Sequence, residues 1–276
     1  MNLKYLTLPV IGAAALALAA AALGQAQPQT AANAMTAPAP RLSMSGYLPR
    51  GSAPDSLALN PLPPAPRSAA LARDVEAQRA AVALRGTARW QQATTDADLF
   101  SPASTDVFSC AAGVTISAQT TPKTFAMMRK AAPDLALAVY PSKTRYKRPR
   151  PFMVNHQPIC TPADETVLRN DGSYPSGHSA IGYGWGLILA ELIPDRATQL
   201  AARGRAFGDS RRVCNVHWLS DVEEGRIVAD AVLARLHAEA AFRADLDAAR
   251  AELAAASAAA PKPDCARENA ALGTQN

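Results

Sequence analysis

No stretch of this chain alternates Val, Ile, Thr and Tyr with polar residues for more than four positions. A half-buried strand requires that alternation, so a sheet is excluded as the main framework. The periodic signals are helical. Leu71, Val75 and Val82 predict a helix over 68–85, with Gln78 interrupting its apolar stripe. Phe125, Met128, Leu135 and Leu137 predict another over 121–138, which Pro133 is expected to break. The glycine-dotted apolar run Ala180 to Leu192 reads as a buried helix. A further helix is expected over 195–207, with a loop around Gly208, and a long final helix over 221–255. Residues 152–174 show no period and contain Pro158, Pro162 and Asn170-Asp171-Gly172, so they read as a long loop. The expected fold is all-α: a helical bundle with long loops forming the active site at one end.

The ends read differently. Lys4, the apolar run Leu6 to Leu23 and the small residues of Gly24-Gln25-Ala26 form the pattern of a cleaved signal peptide over 1–26, which implies a periplasmic or secreted protein. Residues 27–66 are rich in Pro and Ala and read as an extended arm. The catalytic domain is expected over 67–258, and 259–276 as a loose C-terminal tail. No later run reaches the roughly 18 apolar residues that span a bilayer, so no membrane contact is expected after signal removal. The formal net charge of +5 falls to +4 without Lys4 and forms no dense stripe, which argues against nucleic acid as a partner. All four cysteines, Cys110, Cys160, Cys214 and Cys265, lie in the mature region, where export predicts two disulfides with the pairing open. They lack the spacing of a zinc site, and no metal is expected. A homo-oligomer is allowed by these features and not required by them.

Three stretches carry chemistry. Lys143 and Arg150-Pro151 place a point-charge donor and a planar five-donor fork on one segment, a pair suited to phosphate oxygens. Pro175-Ser176-Gly177-His178 puts a hydroxyl, free backbone N–H groups and an imidazole at a helix start, where an anion is stabilised. Ser210-Arg211 is followed by His217 and then Asp221. At i,i+4 on a helix, Asp221 can accept from one ring nitrogen of His217 and leave the other free to attack. Each stretch alone also has an ordinary reading: a solvated basic loop, an N-cap and a capping pair.

The order K-x6-R-P, P-S-G-H, S-R-x5-H-x3-D resembles the tripartite signature of the type 2 phosphatidic acid phosphatase superfamily. Within it, the chain resembles the bacterial class A non-specific acid phosphatases from about Tyr47 to Val232. Shared features include Leu62-Pro63-Pro64, Arg85-Gly86-Thr87-Ala88-Arg89-Trp90, Arg148 before Arg150-Pro151-Phe152, Gly172-Ser173-Tyr174, Arg203-Gly204 and Gly208 before Ser210-Arg211. Lys147 and Pro149 depart from the related pattern at the rim of the site.

The resemblance implies an acid phosphatase that hydrolyses small phosphate monoesters without metal or other cofactor. Lys143, Arg150 and Arg211 would clamp the phosphoryl oxygens, helped by Ser176 and Gly177. His217 would form a phosphohistidine, Asp221 would hold its tautomer, and His178 would protonate the leaving alcohol and later activate water. An acid-to-neutral optimum is expected, because His178 must start protonated and His217 neutral. The same site could serve a phosphotransferase or a pyrophosphate-bond hydrolase; a vanadate haloperoxidase is a remoter reading. A membrane-embedded lipid phosphatase is disfavoured by the lack of mature spans, and a plain phosphate-binding protein leaves the two histidines unexplained. Trp218 and Phe152 read as packing residues, His156 as a loop residue and His237 as the exposed face of the last helix.

Overall fold

The computed structural model describes residues 45–259 and 263–274. The expected signal peptide and the arm up to residue 44 lie outside the described residues. Thirteen α-helices occur among them: α1 (Ser56–Leu59), α2 (Ala69–Val82), α3 (Ala88–Thr95), α4 (Ser109–Ala112), α5 (Pro122–Leu137), α6 (Tyr140–Tyr146), α7 (Pro151–Asn155), α8 (Glu165–Arg169), α9 (Gly177–Leu192), α10 (Ala197–Val213), α11 (Leu219–Leu236), α12 (Ala240–Ala259) and α13 (Ala266–Leu272). No strand occurs among the described residues, and the fold is all-α.

The apolar α9 is the axis, packed against α5, α10, α11 and α12. Its Trp185 is fully buried, meets Phe108 and Phe207 ring to ring, and donates its indole N–H to the Met128 carbonyl at 2.7 Å. The α9–α10 crossing depends on glycines. A Cβ on Gly186 would stand 2.8 Å from the Leu200 carbonyl oxygen, and one on Gly204 would stand 2.9 Å from that of Gly182. Without those side chains the two backbones lie in contact.

Several elements depart from the sequence expectation, each for a packing reason. Pro133 does not break α5. It lies buried inside the helix, and packing of α5 against α9 and α12 outweighs the hydrogen bond that proline cannot donate. No loop forms at Gly208, and α10 runs through it to Val213. A Cβ there would press on Ser179 Oγ (3.1 Å) and Val222 Cγ1 (3.3 Å), so the glycine marks a close approach of three helices. The long final helix is divided at His237–Glu239. A straight rod over 221–255 would run about 50 Å. It would also leave the stripe Phe242, Leu246, Ala249 and Leu253 in solvent, whereas here that stripe is buried and α12 packs on α5. The 152–174 loop contains α7 and α8, both too short to show a period.

On α2 the buried residues are Asp74, Gln78 and Ala81, while Val75 is exposed. The apolar stripe expected of this helix is therefore not its inner face. Gln78 does not interrupt a core contact; it donates to the Arg212 carbonyl (3.0 Å) and to Asn215 Oδ1 (2.9 Å).

The described part of the arm is anchored. Tyr47 is buried, its backbone N–H donates to Asp134 (2.7 Å), and its hydroxyl donates to Asp245 (2.7 Å). Asn60 donates to the Glu224 carbonyl and carboxylate. The tail expected to be loose carries α13, held by the Cys110–Cys265 disulfide and by Glu268 against Arg203 (3.2 Å). Cys160 pairs with Cys214 inside a second small core with Phe152 and Val216.

Candidate active site

The site forms where the start of α9, the end of α6, the 147–150 turn and the Asn215–Trp218 segment before α11 converge. The three sequence stretches are stitched by backbone. The Ser176 N–H donates to the Asp221 carbonyl (2.9 Å), Ser173 N–H to the Arg148 carbonyl (2.9 Å), and Phe152 N–H to the Asn215 carbonyl (3.1 Å). Gly225 on α11 faces the Ser176 carbonyl so closely that a Cβ would collide with it.

Lys143, Arg150, Gly177, His178, Arg211 and His217 line one cavity of about 420 Å³. Ser176 and Asp221 lie directly behind that lining, fully buried. Ser176 is the N-cap of α9: its Oγ accepts from the Ser179 N–H (3.2 Å) and hydroxyl (2.8 Å). Ser176 is thus an N-cap, set directly behind the cavity lining.

His217 is buried, with Nδ1 at 3.3 Å from Asp221 Oδ2 and Nε2 at 3.0 Å from Arg150 Nη1. A guanidinium can only donate, so Nε2 holds the lone pair and Nδ1 the proton. The contact to Asp221 has a different origin from the one expected. His217 precedes α11, which starts at Leu219; Asp221 sits in its first turn and reaches back over the end, where its Oδ2 also accepts the Trp218 N–H (2.8 Å). His178 is half-buried, and its Nε2 donates to the Ala97 carbonyl (3.1 Å), which leaves Nδ1 as the nitrogen that can exchange a proton.

The charge balance is uneven. Lys143, Arg150 and Arg211 are all buried around this cavity. Burial and the Arg150 charge bring Lys143 down to about 8, with Asp171 pulling the other way. Burial and Arg150 bring Arg211 down to about 9. His217 is held well below the ordinary imidazole range by burial and then by Arg150, Lys143 and Arg211; His178 is held there by burial and Arg211. Most telling, Nε and Nη1 of the buried Arg211 have no hydrogen-bond partner. Buried guanidinium donors left open are costly, and an anion's oxygens would satisfy them.

Two features escaped sequence reasoning. Asp171 Oδ2 accepts from both Lys143 Nζ and Arg150 Nη2, each at 2.8 Å, and so sits between two clamp residues where an anion's oxygen would be held. It lies in the Asn170-Asp171-Gly172 turn, whose composition signals only a turn. Of the basic cluster, Arg148 is buried but turned away from the cavity toward Asp74 and Asp221. Arg145 and Lys147 are exposed, as is the rim Pro149. Trp218 and Phe152 pack beside the site, and His156 caps α7. His237 is not on an exposed helix face: it is half-buried at the C-cap of α11, where the chain turns into α12, paired with Glu191 and edge-on to Phe242. Among the described residues no three His, Cys, Asp or Glu side chains converge to hold a metal.

A family model for the PAP2 superfamily matches residues 127–242, a span that holds every residue singled out for the site. An acid phosphatase of Zymomonas mobilis is 41% identical over 202 residues, covering 73% of this chain and 76% of the relative. The chain belongs to the PAP2 superfamily. Other relatives of this PAP2 protein are a non-specific acid phosphatase of Salmonella typhimurium, 40% identical over 70% of this chain and 78% of the relative, and one of Providencia stuartii, 37% identical over 75% and 84%. The matched span runs from the buried Met127 of α5 through α11 into α12. That span includes the cavity-lining Lys143, Arg150, Gly177, His178, Arg211 and His217.

Proposed function

We propose that this PAP2 protein is an acid phosphatase that hydrolyses small phosphate monoesters through a phosphohistidine, without a metal. The observation that carries the reading is the open pair of donors on buried Arg211, in a cavity shared with Lys143, Arg150 and two histidines. Lys143, Arg150 and Arg211 take the phosphoryl oxygens, with the Gly177 and His178 N–H groups and the Ser176 hydroxyl at the helix start. The Arg150 guanidinium moves from His217 Nε2 onto the phosphoryl group, and the freed lone pair attacks phosphorus in line. The N–P bond forms as the bond to the leaving oxygen breaks, and His178 gives its proton to that oxygen. A water oxygen then attacks phosphorus, its proton passes to His178, the N–P bond breaks, and inorganic phosphate leaves. Asp221 accepts from Nδ1 throughout and balances the imidazolium charge of the phosphohistidine.

The signal-like N-terminus and the two disulfides support a periplasmic or secreted location. No helix among the described residues is long and apolar enough to cross a membrane.

Turnover of p-nitrophenyl phosphate at pH 4–8 in EDTA tests the mechanism. Wild type is expected to keep full activity in chelator, and His217→Ala to lose about 10³-fold or more. Loss of wild-type turnover in EDTA rules out the metal-free route, and unchanged turnover in the variant removes His217 as nucleophile.

A further inference from the structure

Behind His217 lies a ring of charged and polar groups outside the cavity lining. Asp221 is fully buried, and its Oδ1 accepts from Arg148 Nη1 at 2.6 Å. The other end of the same guanidinium, Nη2, donates to Asp74 Oδ2 on α2 at 2.6 Å. Ser220 closes the ring: its hydroxyl accepts from Arg148 (2.8 Å) and donates to Asp74 Oδ2 (2.6 Å), while its N–H donates to Asp74 Oδ1 (2.8 Å). The rings of Trp218 and Tyr174 flank the guanidinium at 5.4 and 6.0 Å. Arg148 and Asp74 are 8% and 2% exposed in their side chains, so neither takes substrate.

We propose that Arg148 and Asp74 are positioning residues for phosphoryl transfer, acting on His217 through Asp221. The proposal rests on the reading of His217 as the nucleophile. A bare carboxylate at the depth of Asp221 is costly, and burial pushes this one above its ordinary range; Arg148 and the Trp218 N–H pull it back. Arg148 alone would spend its charge on Asp221 and weaken that carboxylate's hold on the imidazole. Asp74 matches the Arg148 charge from the far side, so the Asp74–Arg148 pair is formally neutral. Asp221 then retains one negative charge for His217. That charge matters most when phosphorylation at Nε2 turns the ring into an imidazolium. The ring also fixes direction: with Oδ1 held by Arg148, Oδ2 accepts from the Trp218 N–H and faces His217 Nδ1, and the Ser173 hydroxyl adds a further hydrogen bond to the carboxylate.

The other charged groups around Asp221 are Lys143 and Arg150, with the Tyr174 hydroxyl beyond. The two cations sit on the cavity side and are occupied by the phosphoryl group during turnover. Arg148 is the cation that remains with Asp221 throughout the cycle.

The test is a double-mutant cycle on kcat for p-nitrophenyl phosphate, with His217→Ala as reference. Asp74→Asn is expected to lower kcat about 10- to 100-fold, the size of effect typical when a ligand-orienting partner is removed. The KM and the affinity for inorganic phosphate are expected to hold within about twofold, because Lys143, Arg150 and Arg211 are untouched. In an Asp221→Asn background the same Asp74→Asn change is expected to cost less than about twofold. Arg148→Met is expected to move the acid limb of the kcat profile to higher pH, since an unpaired Asp221 holds its proton longer, and Arg148→Lys to restore part of the rate. Retained phosphate affinity shows that a slow variant is folded; should Arg148→Met fail to fold, the Asp74 cycle decides alone. The inference is overturned if folded Asp74→Asn keeps wild-type kcat, or if its loss multiplies undiminished in the Asp221→Asn background. Should His217→Ala itself retain turnover, the nucleophile reading falls instead.

Discussion

At the scale of single residues, the site is governed by charge that the fold leaves uncompensated. On the proposed mechanism, His178 serves as the acid only below its pKa, where it carries the proton, and His217 attacks only above its own. Both are pushed well below the ordinary 6.5 by burial and by the surrounding guanidinium groups. His217 therefore stays neutral down to acid pH, while protonated His178 is lost before neutrality in the empty enzyme. The value of kcat/KM is expected to fall as pH rises toward neutrality, giving an optimum on the acid side. A bound phosphate dianion raises the His178 pKa, so the alkaline limb of kcat is expected at higher pH than that of kcat/KM. Rate profiles below and above saturation check this; coincident alkaline limbs would count against His178 as the acid. Asp171 belongs to the same balance. Its carboxylate partners both Lys143 and Arg150 in this structure.

At the scale of elements, the decisive contacts are those in which a side chain is missing. Gly186 and Gly204 let α9 and α10 touch, and Gly225 lets α11 press on the Ser176 turn that starts α9. The two helices that frame the cavity are thereby held against the one that begins it. Gly204→Ala is expected to force the crossing apart, because its Cβ would lie 2.9 Å from the Gly182 carbonyl oxygen and no flexible side chain is there to yield. A loss of about 1–3 kcal/mol is expected from overpacking of this kind. It would appear as a lower urea midpoint with unchanged slope. An unchanged midpoint would mean that the helices have room this geometry denies them.

At the scale of the whole molecule, both ends of the described chain are pulled onto the helical body. Tyr47 buries its ring against Phe242 of α12. Cys265 ties α13 to Cys110 across 155 residues, and Glu268 of α13 reaches Arg203. Arg203 in turn binds the buried Asp96, which also accepts from Ser210 (2.5 Å), the neighbour of Arg211. Asp96 directly precedes Ala97, whose carbonyl holds His178. Replacing Cys110 and Cys265 together by Ala is expected to cost about 2–5 kcal/mol through a freer unfolded chain. At this chain length that is roughly 5–15 °C in Tm by scanning calorimetry. Activity at 25 °C is expected to hold within about twofold, because Asp96 keeps Arg203 without the tail. A large loss of turnover with little change in Tm would place α13 in the function of the site instead.

The chain's local chemistry determined the class of fold and the residues around the cavity. Strand periodicity is missing, and α2, α5 and α9 announce themselves by apolar spacing or by an N-cap. The Lys143, Arg150, Ser176–His178, Arg211 and His217–Asp221 pattern is legible because its residues fall in three short clusters whose order and spacing resemble the family signature, although each cluster alone also has an ordinary reading. Tertiary structure decided the rest. Whether Pro133 and Gly208 interrupt a helix, where the last helix folds back, and which cysteines pair all depend on what packs against them from distant segments. The same holds for Asp171, Arg148 and Asp74. In sequence they are a turn residue, one of the five basic residues Lys143, Arg145, Lys147, Arg148 and Arg150, and a charge on a helix face. Only when residues 74, 148 and 221 meet does burial turn exposed charges into a network, because a charge removed from water must find its partner wherever the fold brings one.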